Sequence, residues 1–170
     1  LMKEISKLIR DGAKTFIKHE YITVGKYSII IAILLSVLIE WYAGITFIIG
    51  SLMSSLAGFV GMKIATYANV RVTNKAKETK NIGETLKVAF RSGSVMGLSV
   101  GGFALFGLIL VYIIFGKYFG QLDKENIIIH ANWLGINFIP FTMSVSAYAL
   151  GCSLIAMFDR VGGGIYTKAA

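Results

Sequence analysis

Four long apolar blocks divide the chain, and they limit its fold more than any other feature. They run over about residues 21–41, 44–70, 87–115 and 133–158, and most of the charge lies between or outside them. About 20 consecutive apolar residues in a helix cross the hydrocarbon core of a bilayer. Each block is long enough, so the sequence predicts an all-α, polytopic transmembrane helix bundle with four spans. Composition agrees: 15% of residues are charged and 55% hydrophobic, where soluble domains carry about 25% charged residues.

Residues 2–20 add an expected amphipathic helix ahead of the first span. Ile5, Leu8, Ile9, Phe16 and Ile17 recur at helical spacing, with Lys3, Lys7, Arg10, Lys14 and Lys18 between them. Such a helix can lie in the headgroup plane with its lysines reaching toward phosphate, or serve as a soluble arm packed on a partner. The expected organisation is an interfacial helix over 1–20 and a four-helix transmembrane segment over 21–170.

Within the spans, small residues mark close helix approach. Ser54 and Gly58, and Ala57 and Gly61, are each four apart. Gly93, Gly97 and Gly101 share one face of the third span and are expected to pack on another helix. Trp41 and Tyr42 read as interfacial anchors, with Glu40 at the water boundary. Lys63, late in the second block, is expected to reach the bilayer surface. Residues 71–87 and 116–131 read as polar loops, and Pro140 as a kink near the start of the fourth span.

The cations orient the bundle. Six Lys or Arg lie up to Lys26, none in 40–43, seven from Lys63 to Arg91, two in 116–131 and two in the tail. Cation-rich segments face the cytoplasm, which puts the amino-terminal arm, the 71–87 loop and, after four crossings, the tail there. The net charge of +8 is thus read as topology and lipid contact rather than nucleic-acid binding. The single cysteine, Cys152, excludes an internal disulfide framework and reads as a small buried hydrophobe. His19 and His130 read as interfacial polar residues, and no residues stand at metal-ligand spacing.

Chemistry is suggested by the tail Arg160-Val161-Gly162-Gly163-Gly164-Ile165-Tyr166-Thr167-Lys168. Glycines let backbone approach a phosphate and Lys168 supplies countercharge, although the spacing is not that of a Walker loop. From the residues alone, boundary anchoring is the first reading of Arg160 and Lys168 and phosphate contact the second. Together with Gly58-Phe59-Val60-Gly61-Met62-Lys63 through Arg71, Ala89-Phe90-Arg91-Ser92-Gly93-Ser94-Val95-Met96-Gly97, and Ile9-Arg10-Asp11-Gly12-Ala13, the tail resembles the membrane-integral inorganic pyrophosphatases. Members of that family couple pyrophosphate hydrolysis to pumping of protons or sodium ions.

The resemblance implies a homodimeric pump with many more helices, of which this chain would supply the second to the fifth. It implies that Lys168 contacts pyrophosphate and that Arg160 takes part in ion-coupling charge pairs. It also implies Mg2+ bound by residues outside the chain, a potential K+ requirement, and a prokaryotic plasma membrane as host. The chain stops at Ala170, before the family's aspartates, so alone it is expected to be inactive. The alternative reading is a small four-helix membrane subunit or scaffold without catalysis.

Overall fold

The computed structural model describes residues 2–123, 130–131 and 137–169. Its elements are α1 (Met2–Leu38), α2 (Trp41–Thr79), α3 (Ile82–Val111) continued by a π-helical segment (Tyr112–Tyr118), two short strands β1 (His130–Ala131) and β2 (Asn137–Phe138), and α4 (Pro140–Ala169). The strands pair antiparallel, His130 opposite Phe138, in the connection leading to α4. Among the described residues four helices are long and apolar enough to cross a membrane. The fold is all-α, and its four spans overlap the four apolar blocks; the fourth starts at Pro140 rather than near residue 133, since Asn137 and Phe138 pair as β2, and residues 132–136 of that block lie outside the described residues.

The helices run further than the blocks. α2 has 39 residues, about 58 Å at 1.5 Å per residue, against a hydrocarbon core of about 30 Å. The expected polar loop over 71–87 is therefore mostly helix. α2 continues to Thr79, Lys80 turns the chain in the left-handed region at φ 47°, and Asn81 caps α3 by accepting from the Gly83 N–H at 2.9 Å. Polarity marked the end of the apolar stretch, not of the helix: Lys, Glu and Ala sustain a helix in water.

Two further expectations change. No separate amphipathic helix precedes the first span, because residues 2–20 are the first half of one continuous α1. Its inward stripe is Ser6, Ala13, Ile17, Val24, Ser28 and Ala32, while Ile5 and Leu8 face outward. Pro140 starts α4 rather than kinking it; a first-turn proline forfeits no helical hydrogen bond.

α2 is the central helix and packs along the other three. The buried core unites Ala32, Tyr42, Ala43, Phe47, Val111, Phe115, Ala147 and Tyr148, at the end where α1 meets α2. Trp41 packs there with Phe115 and Phe119, ring centroids 6.3 and 5.3 Å apart. Trp41 is half-exposed and Glu40 exposed, whereas Tyr42, expected as a second interfacial anchor, is buried in the core. Ser144, fully buried, donates to Gln121 Oε1 at 2.8 Å and ties α4 to the segment after α3.

α2 and α4 cross on a reciprocal glycine contact. A Cβ on Gly50 would fall on the Tyr148 carbonyl and 3.2 Å from the Cys152 nitrogen; one on Gly151 would fall on the Phe47 carbonyl and 3.1 Å from the Ser51 nitrogen. At this spacing polar atoms bridge the helices: Ser54 Oγ donates to the Cys152 carbonyl at 3.1 Å, and Cys152 Sγ to the Gly50 carbonyl at 3.3 Å. Cys152 is half-buried and thereby hydrogen-bonded. The Gly93, Gly97 and Gly101 face does not pack within this bundle: nothing lies within 4 Å of a Cβ built on any of the three. Spacing identifies a face that permits close approach; it does not name the helix that takes it.

Candidate functional site

The bundle is closed at its core end and open at the other. Tyr148 sets the boundary. Its hydroxyl donates to the Ala104 carbonyl at 2.7 Å, and its ring packs over Gly107, where a Cβ would lie 2.9 Å from Cε2. That bond joins α4 to α3. Beyond it the two helices part over a floor of small α2 residues, Ala57, Gly58, Gly61 and Ala65, and leave a cavity of about 810 Å³. Small side chains create the volume, since neighbouring helices have nothing on α2 to pack into.

The cavity runs up α4 from Tyr148 through Cys152 and Ala156 to Asp159, Arg160, Gly163 and Gly164. α1 closes its side with Ile17, Glu20 and Tyr21. Tyr21 donates its hydroxyl to the Ser55 carbonyl at 2.9 Å, which fixes α1 to α2 at this level. The small pairs read from the sequence do meet other helices: Ser54 bonds α4, and Gly61 lies under Met96 of α3, 3.1 Å from a would-be Cβ.

The sequence-predicted residues stand as follows. Arg160 is exposed and lines the upper cavity. Lys168 lies on the last turns of α4, which stays helical to Ala169; its side chain is outside the described residues. The triple glycine is consequently helix, not loop. Each helical glycine costs about 1 kcal/mol relative to alanine, and Gly162 has a packing reason for its place. A Cβ there would meet the Glu20 carboxyl and Phe16 Cζ, the latter at 3.1 Å. Gly163 and Gly164 face open space, with nothing within 4 Å. Lys63 is exposed on α2, about 33 Å along the helix from Trp41 by helical rise.

Two carboxylates that the sequence does not single out join this layer. Asp159 rests on Gly58 of α2, where a Cβ would also come 2.7 Å from the Tyr21 hydroxyl, and Glu20 rests on Gly162 of α4. Both are half-buried. The available signal was their position, since an ionisable residue at the edge of a span is a functional candidate, but nothing in the sequence shows that α1 and α4 meet there. Among the described residues no group of three or more His, Cys, Asp or Glu could hold a metal ion.

The arrangement brings one arginine, two carboxylates and the glycine-rich end of α4 to a single layer, above an apolar cleft. It presents charge at the end of a span. Comparison with known proteins identifies the family. The model of the family described as "Inorganic H+ pyrophosphatase" matches residues 1–170. The chain is 63% identical over 169 residues to the K+-stimulated pyrophosphate-energized sodium pump of Thermotoga maritima, covering 99% of this chain and 23% of that protein. It is 36% identical to the K+-insensitive pyrophosphate-energized proton pump of Methanosarcina mazei and 33% to the K+-insensitive pyrophosphate-energized proton pump 2 of Moorella thermoacetica. Each match covers 99% of this chain and 22% of the relative. The chain therefore spans less than a quarter of the length of these relatives, and it belongs to the inorganic H+ pyrophosphatase family.

Proposed function

We propose that this chain is the part of a pyrophosphate-energized cation pump that carries one lysine of the substrate site and one arginine of the ion path. The observation that supports this most is the course of α4. A single helix joins the tightly packed membrane core at Gly151 to the Gly162–Lys168 motif, so a displacement at one end has a direct route to the other. Pyrophosphate bound at Lys168 would load the top of α4. Arg160, two turns below, would then change carboxylate partners as the helix moves. Arginine stays charged at any physiological pH, so it repels a passing cation until a carboxylate neutralises it.

In this reading the Lys168 end, the α2–α3 turn and the start of α1 face the cytoplasm, as the cation distribution indicates. Mg2+ is held by residues of the complete polypeptide beyond this chain and supplies charge neutralisation for phosphoryl transfer. K+ stimulation agrees with the printed name of the Thermotoga relative. The complete protein is a homodimer in a prokaryotic plasma membrane. The outward apolar residues, among them Leu98, Phe90 and Val37, meet lipid or the pump's remaining helices.

The test is hydrolysis and cation uptake by the full-length protein in sealed vesicles. Arg160→Ala should depress uptake more than hydrolysis, lowering the number of ions moved per pyrophosphate. Strict proportionality between the two losses would remove Arg160 from the coupling step.

A further inference from the structure

The hairpin formed by α2 and α3 runs further than a bilayer crossing requires: α2 alone has 39 residues. Helical rise places Lys63 about 33 Å from Trp41, close to the thickness of the hydrocarbon core. Lys75 lies 12 residues further along α2, about 18 Å beyond. The headgroup layer occupies only about 5–8 Å on each side. With Trp41 at the opposite membrane boundary, as the proposed topology has it, Lys75, Lys77 and Lys80 would stand in water, past the reach of lipid phosphate.

Their position relative to α4 follows from the packing. Ser54 meets Cys152 and Gly58 meets Asp159, so α2 and α4 run in step. Continued upward, position 168 of α4 stands level with about Tyr67 of α2. Gly61 meets Met96, which puts Arg91 of the antiparallel α3 at the same level. Arg71 stands one turn higher, and Lys75, Lys77 and Lys80 about 12–20 Å higher. Arg71, Lys77, Lys80 and Arg91 are exposed and Lys75 half-exposed. Only two carboxylates lie in the sequence between Arg71 and Arg91, Glu84, which pairs with Lys87 at 2.9 Å, and Glu78, which accepts from Asn74 at 2.7 Å, against Arg71, Lys75, Lys77, Lys80, Lys87 and Arg91. The tip of the hairpin is left with a surplus of positive charge.

We propose that this tip is an electrostatic collar that gathers dissolved pyrophosphate above the end of α4, an inference that rests on the function proposed above. A surface of one sign raises the local concentration of a counter-charged substrate, and salt abolishes the gain. The collar spans one to two Debye lengths at physiological ionic strength, where that length is about 8 Å. It therefore acts on capture of the anion and leaves the chemical step alone.

The experiment uses the full-length pump in neutral phosphatidylcholine vesicles, with pyrophosphate hydrolysis measured from low to high ionic strength at fixed free Mg2+. Wild type is compared with Arg71→Gln/Lys75→Gln/Lys77→Gln/Lys80→Gln and with the charge-keeping Lys75→Arg/Lys77→Arg/Lys80→Arg. The glutamine variant should show a KM about tenfold higher at low salt, converging on wild type at high salt, with kcat unchanged. The arginine variant should follow wild type throughout. An active wild type whose KM and salt dependence the glutamine variant reproduces overturns the collar alone. So does a KM rise in the arginine variant, or an effect confined to vesicles containing phosphatidylglycerol, which would assign the cations to lipid. A wild type without pyrophosphate hydrolysis instead overturns the proposed function.

Discussion

Gly50→Ala should loosen the bundle at its tightest point, and the structure indicates by how much. The added methyl lands on backbone of α4, the Tyr148 carbonyl and the Cys152 nitrogen, and backbone in a helix cannot swing aside as a side chain can. The helices must separate, an overpacking cost of about 1–3 kcal/mol. Separation also stretches the Ser54 and Cys152 bonds across the interface, each worth about 0.6 kcal/mol in a membrane. Alanine's greater helix preference returns about 0.5–1 kcal/mol, leaving a net loss of about 2 kcal/mol. Gly151→Ala should cost about the same, because it meets Phe47 and Ser51 in mirror fashion. One separation relieves both clashes, so the double variant should fall short of the sum by about 1 kcal/mol. Unfolding of the full-length protein by sodium dodecyl sulfate, followed by tryptophan fluorescence, measures all three. A Gly50→Ala variant as stable as wild type, or a strictly additive double variant, would refute the crossing described here.

Gly162→Ala should cost less than Gly50→Ala in the same assay, since its methyl meets the mobile ends of Glu20 and Phe16; Gly163→Ala, facing open space, should cost less again. Ser144→Ala removes the 2.8 Å donor to Gln121 in a fully buried site and should lose about 1–3 kcal/mol, read as a lower thermal inactivation midpoint. Arg10 sits 4.4 Å above the Tyr67 ring and donates to Ser6 Oγ at 3.1 Å. Arg10→Ala should free the extension of α1 from α2, seen as faster amide exchange over residues 4–18, with Arg10→Lys retaining part of the protection.

The number and class of the membrane spans were legible because hydrocarbon demands long apolar runs, and those runs cannot be disguised. The helix ends were not. The stretch from Arg71 to Thr79 looks like a loop by polarity, yet Arg71, Lys75, Ala76, Lys77 and Glu78 are sound helix formers in water, so α2 simply emerges from the bilayer and continues. The amphipathic start merged with the first span for the same reason. Small-residue spacing found the Ser54 and Gly61 contacts correctly, but it could not tell the Gly93–Gly101 face, open in this bundle, from a packed one. At the site, Arg160 and Lys168 stood out through their motif. Glu20 and Asp159 did not, because their meeting depends on α4 closing against α2 at Gly58 and on α1 closing against α4 at Gly162, a tertiary fact with no local mark.

If the end of α4 belongs to a pyrophosphate site, as proposed, kinetics of Lys168→Ala in the full-length protein will show it. Loss of a positioned charge at a phosphoryl-transfer centre costs about 10²–10³-fold, so kcat/KM for pyrophosphate should fall by that order while Lys63→Ala does far less. Lys168→Ala hydrolysing pyrophosphate at the wild-type rate, with an unchanged KM, would contradict the account.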